Sequence, residues 1–342
     1  MNHAKAFLRA LRFDPAFSPG AQNAIRSCLR IQQDEKITLI TDRACSEIAA
    51  SLASELDCLN LRYEAWILED LAPRPLQDMP GAILDDMETS DVSLFAVKAQ
   101  ANELRTRMQM TDVVNRRKMR HAHMVNIDRR IMLEGMRADF EEVDRISTQV
   151  WQMASAAREI RAANPAGTAI VGRFSPRLKW LKTSGIISPH KWGNLPGGET
   201  FTTPEGVEGT FVIDGVVGDY LCEKYGDLRE TPLTIAIEGS RLRDAHSANK
   251  ELEEEFWRYC HTDENSDRVG EFAIGTNIAV RDVIGNILQD EKIPGIHIAF
   301  GNPYGAHTGA EWYSSTHIDV VGRKFDIWID GRQIMQAGAF LL

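Results

Sequence analysis

The sequence predicts an α/β N-terminal domain with a parallel sheet, followed by a β-rich, barrel-like α+β domain. In the first half, apolar runs alternate with helical segments, a pattern typical of parallel strands joined by crossovers. At residues 164–167 the run Asn-Pro-Ala-Gly stops this pattern, and short, glycine-rich, β-prone segments follow it. Single cores rarely grow beyond about 250–300 residues. A chain of 342 residues therefore has room for two domains, which we place at 1–165 and 166–342.

The elements of the first half follow from the spacing of its apolar residues. Helices are predicted where these residues recur three or four positions apart, and strands where short apolar or alternating runs occur. The predicted helices are Ala21–Gln32, Ala44–Leu56 and Asp139–Ala163, and the predicted strands are Lys36–Thr41, Leu61–Leu68, Val92–Val97 and Ala122–Asp128. The last helix is expected to end at the Asn-Pro-Ala-Gly stop signal.

The second half consists mainly of short, β-prone segments. Short strands are predicted over residues 168–173, 209–217, 232–238, 297–301 and 325–331, and a single helix is predicted over Ser247–Cys260. A dense set of short strands with turn signals between them indicates a curved sheet or a barrel.

Composition limits the class of protein. A net charge of −10 and a pI of about 5.5 argue against a nucleic-acid binder, which needs a basic face to replace phosphate counterions. The five cysteines are scattered without paired spacing, which is typical of buried thiols in a reducing compartment. The N-terminus lacks the apolar region of a signal peptide, and no apolar stretch approaches the roughly 18–20 residues of a membrane span. We expect a cytoplasmic, soluble protein without a membrane partner.

The candidate functional residues concentrate between Arg268 and Asp319. Acidic and imidazole side chains occur here among apolar and glycine neighbours, where an unpaired charge is costly to bury. They are Glu271, Glu291, His297, His317 and Asp319, and Tyr304 lies among them. A bound metal that neutralises several converging groups explains this pattern most simply. The sequence therefore predicts a metalloenzyme whose chemistry lies in the C-terminal half.

Taken singly, each of these residues also has an ordinary structural explanation. His317 and Asp319 are two positions apart, so in a strand they share a face, but the pair could be a histidine oriented by a carboxylate. His297 could be a core histidine with ordinary hydrogen-bond partners, and Glu291 could be a solvated turn residue. Glu199, after a glycine-proline loop, could be the first residue of a strand.

Outside this region, His121 and His123 lie in a basic stretch. Its arginines and lysine predict a solvated helix face, with an anion clamp as the alternative.

Together the motifs are similar to those of a known family. The segments N-L-P-G-G-E-T-F-T-T-P, G-E-F-A-I-G-T-N, D-E-K-I-P-G-I-H-I-A-F-G and T-H-I-D resemble four blocks of the aminopeptidase T (thermophilic-type leucyl aminopeptidase) metallopeptidases, including the shorter aminopeptidase-like members. A tyrosine, here Tyr304, follows the histidine of the third block by seven residues. The resemblance covers most of the chain and is sharpest from Asn194 onward.

The resemblance implies a site and an activity. By this resemblance, the metal ligands of the family correspond to Glu199, Glu271, Glu291, His297, His317 and Asp319. Such a set implies two divalent ions, and oxygen and nitrogen donors suit zinc, cobalt or manganese. The expected activity is hydrolysis of small peptides or related amides, with Tyr304 on the oxyanion and Glu199 or Glu271 as the proton shuttle. A homodimer is also implied.

Two alternatives to the dinuclear hydrolase stay open. His297, His317 and Asp319 could form a two-histidine, one-carboxylate iron(II) site. The chain would then be a ring-cleaving dioxygenase of the 2,5-dihydroxypyridine type, which resembles this scaffold. The third possibility is a diverged, non-catalytic member that keeps the fold as a binding protein.

Overall fold

The computed structural model describes residues 3–189, 192–218 and 220–342. The chain forms two compact units. Unit 1 comprises Met1–Glu141 and Gly185–Gly197, and unit 2 comprises Glu142–Ser184 and Gly198–Leu342. The division into domains near residue 165 stays a prediction.

The described residues form helices and strands with the following bounds. The α-helices are α1 (His3–Ala10), α2 (Ser18–Gln22), α3 (Ser46–Cys58), α4 (Gly81–Met87), α5 (Leu104–Arg117), α6 (Arg129–Leu133), α7 (Phe140–Ala156), α8 (Tyr220–Tyr225), α9 (Lys250–Tyr259), α10 (Ile287–Asp290) and α11 (Gly305–Thr308). The strands are β1 (Lys36–Thr41), β2 (Arg62–Ile67), β3 (Val92–Val97), β4 (Arg120–Val125), β5 (Glu159–Ala163), β6 (Ala169–Arg173), β7 (Leu181–Thr183), β8 (Gly193–Asn194), β9 (Glu199–Thr202), β10 (Gly206–Ile213), β11 (Leu233–Glu238), β12 (Arg241–Ser247), β13 (Val269–Gly275), β14 (Gly295–Gly301), β15 (His317–Val321), β16 (Asp326–Ile329), β17 (Arg332–Gln336) and β18 (Ala339–Phe340).

Unit 1 is built on a parallel sheet, as predicted. Its strand order is β2-β1-β3-β4-β8, and the paired strands run parallel. All six side chains of β3 are buried, which explains why this strand is a continuous apolar run in the sequence. Helix α3 buries Ile48, Leu52 and Leu56, whose spacing of four places them on one face.

Unit 2 is β-rich, so the predicted fold class is confirmed. Its eight-stranded sheet has the order β12-β11-β10-β6-β5-β16-β17-β18, and its five-stranded sheet has the order β15-β14-β13-β9-β7. Apolar side chains of both sheets join one core, represented by Phe211, Ile235, Phe272 and Ile298. The predicted helix in this half is α9. The Asn249 side chain caps its N-terminus by accepting a hydrogen bond from the Leu252 amide.

The prediction for the helix Asp139–Ala163 is wrong at its C-terminal end. Helix α7 ends at Ala156, and residues 159–163 form β5 instead. This strand lies between β6 and β16 in the eight-stranded sheet and buries Ile160 and Ala162 at alternate positions. Pairing with two neighbouring strands therefore overrides the local helical pattern.

The predicted solvated helix face holds for Arg116 and Arg117, which are exposed at the end of α5, but it is wrong for His121 and His123. His123 belongs to the predicted strand Ala122–Asp128. Both histidines lie on β4 and are buried. The Nδ1 atom of His121 lies 2.8 Å from Ser93 Oγ, and its Nε2 atom lies 3.1 Å from Nδ1 of His123. Burial lowers the pKa of His121 to about 3 and that of His123 well below its ordinary value. Both rings are therefore neutral parts of the core.

Among the described residues, no helix combines the length and the apolar character that a membrane crossing requires.

Candidate metal centre

The five-stranded sheet of unit 2 carries most of the predicted ligands on one face. Successive side chains of a strand point to opposite faces, while residues paired across strands point to the same face. Glu271 of β13 pairs with Ala299 of β14, which pairs with Asp319 of β15. These three residues form one row across the sheet. His297 lies two positions before Ala299, and His317 lies two before Asp319, so both histidines share this face.

The two faces of this sheet have opposite chemistry. On the face away from the donors, Phe272, Ile298, Ile318 and Val320 are fully buried in the core of unit 2. On the donor face, β13 and β14 place the small residues Ala273 and Ala299 next to the donors. This alternation leaves space around the polar atoms and anchors the strands through their apolar side chains.

A loop brings Glu291 to the same place. Glu291 directly follows the short helix α10, and Lys292 comes next. A Cβ atom at Gly275 would lie 2.0 Å from the carbonyl oxygen of Ile293, so the loop approaches β13 this closely only because residue 275 has no side chain. The Lys292 carbonyl also accepts a hydrogen bond from the Asn277 amide at 3.0 Å.

The structure brings all six predicted ligands together. They form three overlapping groups whose ligand atoms lie within 4.8 Å of one another: Glu199, Glu271 and His297; Glu271, His317 and Asp319; and Glu291, His297 and Asp319. Glu271, His297 and Asp319 each belong to two of the three groups. The arrangement is a single cluster of donors rather than separate ion pairs.

Both imidazoles point their Nε2 atoms at carboxylates. Nε2 of His297 lies 3.4 Å from Glu271 Oε1 and 3.5 Å from Glu199 Oε2. Nε2 of His317 lies 3.4 Å from Asp319 Oδ1, and its Nδ1 lies 3.0 Å from the Asn302 carbonyl oxygen. A carbonyl at Nδ1 fixes the ring and leaves Nε2 for a metal, as is usual for ligating histidines.

Lys292 is a member of the cluster that the sequence analysis did not identify. In the sequence it ends the polar segment Q-D-E-K (residues 289–292), which is typical of a solvated turn. In the structure its side chain is 1% exposed, and Nζ lies 2.7 Å from Glu199 Oε1 and contacts Glu291 Oε1. Thr183 donates a second hydrogen bond to Glu199 Oε1 at 2.8 Å. A glutamate-lysine neighbour pair on a loop gives no sequence signal that the lysine turns inward.

The electrostatics of the cluster follow from its burial and its excess of carboxylates. Burial, together with the charges of Glu199 and Asp319, raises the pKa of Glu291 to about 8. Burial alone would lower the pKa of His317, but the neighbouring carboxylates, Asp319 first, raise it to about 10. The ammonium of Lys292 outweighs burial at Glu199 and holds the pKa of that carboxyl below its ordinary value.

Tyr304 lies at the edge of the cluster and is 41% exposed. Its ring centroid is 4.6 Å from that of His317, and its backbone adopts a left-handed conformation with φ of 49°. Such a conformation is uncommon for a bulky residue and occurs often at functional sites. Desolvation and the charges of Glu271 and Asp319 raise the pKa of Tyr304 well above its ordinary value. The phenol therefore keeps its proton and can donate a hydrogen bond.

The cluster suits a divalent cation. The Nε2 atom of His297 is buried and has no hydrogen-bond partner among the described residues. Buried polar atoms rarely lack a partner, so this atom indicates a group that the polypeptide does not supply. Carboxylate oxygens and imidazole nitrogens are donors for zinc, cobalt or manganese, and thiolates are missing from the described groups.

Comparisons with known proteins agree with a metalloprotease fold. A family model described as thermophilic metalloprotease (M29) matches residues 138–324. A solved structure of 2,5-dihydroxypyridine dioxygenase from Pseudomonas putida KT2440 is 13% identical, with a TM-score of 0.68 over 95% of this chain and 96% of that chain. Wild-type AmpT from Thermus thermophilus is 16% identical, with a TM-score of 0.67 over 96% of this chain and 99% of that chain. At these identities the two likenesses show the fold alone. A comparison with curated proteins finds no match.

Proposed function

This chain belongs to the thermophilic metalloprotease (M29) family, and we propose that it is an aminopeptidase-like hydrolase of small peptides or related amides. Family membership makes it a metallopeptidase. The observation that supports the finer proposal is the buried cluster of six donors, in which four carboxylates surround two imidazoles. A site rich in carboxylates can also pair with the free amino terminus of a peptide, which is the feature an aminopeptidase must recognise.

The residues divide the chemistry among them. Glu271, His317 and Asp319 would hold a divalent ion, and His297, Glu199 and Glu291 extend the set toward a second position. When bound, such an ion polarises the scissile carbonyl and lowers the pKa of a water toward neutrality.

Tyr304 would donate its O–H to the oxyanion that develops on the substrate. One of the buried carboxylates, Glu199 or Glu271, would take the proton of the attacking water and deliver it to the leaving amine. Both are 7% exposed or less, which keeps bulk water from competing for that proton.

The iron(II) dioxygenase remains the alternative, but the geometry favours the hydrolase. A two-histidine, one-carboxylate site needs His297 and His317 on one ion. None of the groups found among the described residues combines these two histidines; each contains one of them with two carboxylates.

The test is a comparison of two activities in the same metal-free protein. We expect hydrolysis of aminoacyl chromogenic amides after reconstitution with zinc, cobalt or manganese, and no hydrolysis before it. Oxygen uptake with 2,5-dihydroxypyridine and ferrous iron, without amide hydrolysis, would replace the hydrolase by the dioxygenase. Neither activity, with metal bound, would favour a non-catalytic binding protein. The expected homodimer and cytoplasmic location belong to the same proposal and can be checked by light scattering and cell fractionation.

A further inference from the structure

We infer that the Lys292 ammonium group takes the place of one of the two divalent ions, so that the protein binds a single ion at Glu271, His317 and Asp319. This inference rests on the proposed metal-dependent function. It changes the expected number of ions and assigns Lys292 a role as a permanent internal cation of the centre.

The first support is the position of the ammonium group. Nζ of Lys292 contacts Glu199 and Glu291 through one oxygen of each carboxylate. Each of these two glutamates forms a donor group with His297, Glu199 together with Glu271 and Glu291 together with Asp319. The ammonium therefore already supplies the positive charge between the two carboxylates that a second ion would otherwise supply.

The second support is that Lys292 cannot easily leave. Its side chain is 1% exposed, and it is among the largest fully buried side chains of the protein. The Lys292 amide donates to the Gln289 carbonyl at 2.8 Å, and its carbonyl accepts from Asn277 at 3.0 Å. Lysine is almost never fully buried unless it is paired. Moving it to solvent would require the loop to open and would leave Glu199 and Glu291 unpaired.

A divalent ion shared by Glu199 and Glu291 would lie beside this ammonium group. Like charges repel far more strongly in a buried, low-dielectric site than in water. The group formed by Glu271, His317 and Asp319 is different, because the ion pairs of Lys292 among the described residues go to the other two glutamates. One position of the centre is thus available to a divalent ion and the other is occupied by a side chain.

His297 lies beside this position but outside the group of three donors that holds the single ion. Its Nε2 atom is buried without a hydrogen-bond partner among the described residues, and it lies 3.4 Å from Glu271 Oε1. Glu271 is therefore the carboxylate that links His297 to the His317 position.

The experiment counts bound ions in three proteins. The wild type, Lys292→Met and Lys224→Met are stripped with a chelator, reconstituted with Mn²⁺ and dialysed. Lys224 is the matched control, because its Nζ lies 2.7 and 2.8 Å from two carboxylates, those of Glu251 and Glu255, but on the protein surface. Bound manganese is measured by elemental analysis, and the electron paramagnetic resonance spectrum distinguishes an isolated ion from an exchange-coupled pair.

We expect about one equivalent per chain, with the hyperfine spectrum of an isolated ion, in the wild type and in Lys224→Met. In Lys292→Met we expect about two equivalents and a coupled spectrum, since Glu199 and Glu291 are then free to bind an ion. If Lys292→Met does not fold, Lys292→Gln keeps a hydrogen-bond donor without the charge, and the same change is expected.

The outcomes separate this inference from the function on which it rests. Two coupled ions in the wild type overturn the role of Lys292 and leave the metallopeptidase intact. One ion in the wild type and one in each Lys292 variant also overturn it, because the lysine then does not set the count. No bound ion in any of the proteins overturns the metal centre itself.

Discussion

Enlarging Ala299 should disable the metal centre while preserving the fold. Ala299 is fully buried and lies in the sheet between Glu271 and Asp319, one on each neighbouring strand. Directly paired residues of antiparallel strands have Cβ atoms about 4.5–5.5 Å apart. The two extra methyl groups of Ala299→Val would therefore enter the space between these two carboxylates.

The expected magnitudes follow from this position. Overpacking a buried site costs about 1–3 kcal/mol, part of which the strand preference of valine offsets. Metal binding should weaken by at least about tenfold, equivalent to about 1.4 kcal/mol, because Glu271 and Asp319 can no longer take up their positions around one ion. The loss of affinity should exceed what the loss of stability alone explains.

Ile298→Val is the matched control. Ile298 is the neighbouring residue on β14, is equally buried, and faces the apolar core instead of the donors. Removing one methylene there costs about 0.5–1.5 kcal/mol. Urea unfolding of the metal-free proteins measures stability, and calorimetric titration with Zn²⁺ measures affinity. Wild-type affinity in Ala299→Val, or an equal loss of affinity in both variants, would refute the assignment of the donor face.

Three further predictions concern single groups. Glu271→Gln should weaken Zn²⁺ binding by more than about 100-fold in calorimetric titration, because Glu271 belongs to two of the three donor groups; a smaller effect would move the ion away from this carboxylate. Tyr304→Phe should lower kcat for amide hydrolysis by about 10²–10³ at unchanged metal affinity, since only the oxyanion loses a donor; a parallel loss of metal would assign the tyrosine a structural role instead. Because His121 and His123 are buried and neutral, only the unfolded chain binds protons at these rings as the pH decreases from about 6.5 toward 3. The free energy of unfolding should therefore fall over this range by about 1.4 kcal/mol per pH unit for each ring. Urea unfolding between pH 7 and 4.5 should show this slope, and the double variant His121→Gln/His123→Gln should not.

Much of the fold could be predicted because several elements carry a local signal. Strands β1 and β3 are apolar runs, and the structure gives them the predicted bounds. The strand β5 could not be recognised in the same way, because its buried Ile160 and Ala162 also suit a helix and only pairing with β6 and β16 makes them a strand. The prediction of a solvated face for His121 and His123 was wrong for a related reason. Their charged neighbours dominate the sequence pattern, whereas the burial of the two rings on β4 depends on tertiary packing.

The candidate site was predicted from the resemblance of its motifs, and the structure supplies the physical reason for their spacing. Residues two apart on a strand share the donor face, as His297 and Ala299 do on β14 and His317 and Asp319 do on β15. The large apolar residues between them face the core. The alternation of side chains along a strand does not apply to Lys292, because it is on a loop, where a long-range contact sets the direction of the side chain. That contact depends on Gly275, whose missing Cβ lets the loop reach the sheet. A sequence motif can therefore identify the candidate metal donors on the strands, while Lys292, which we infer to set the number of bound ions, lies on a loop that no strand pattern includes.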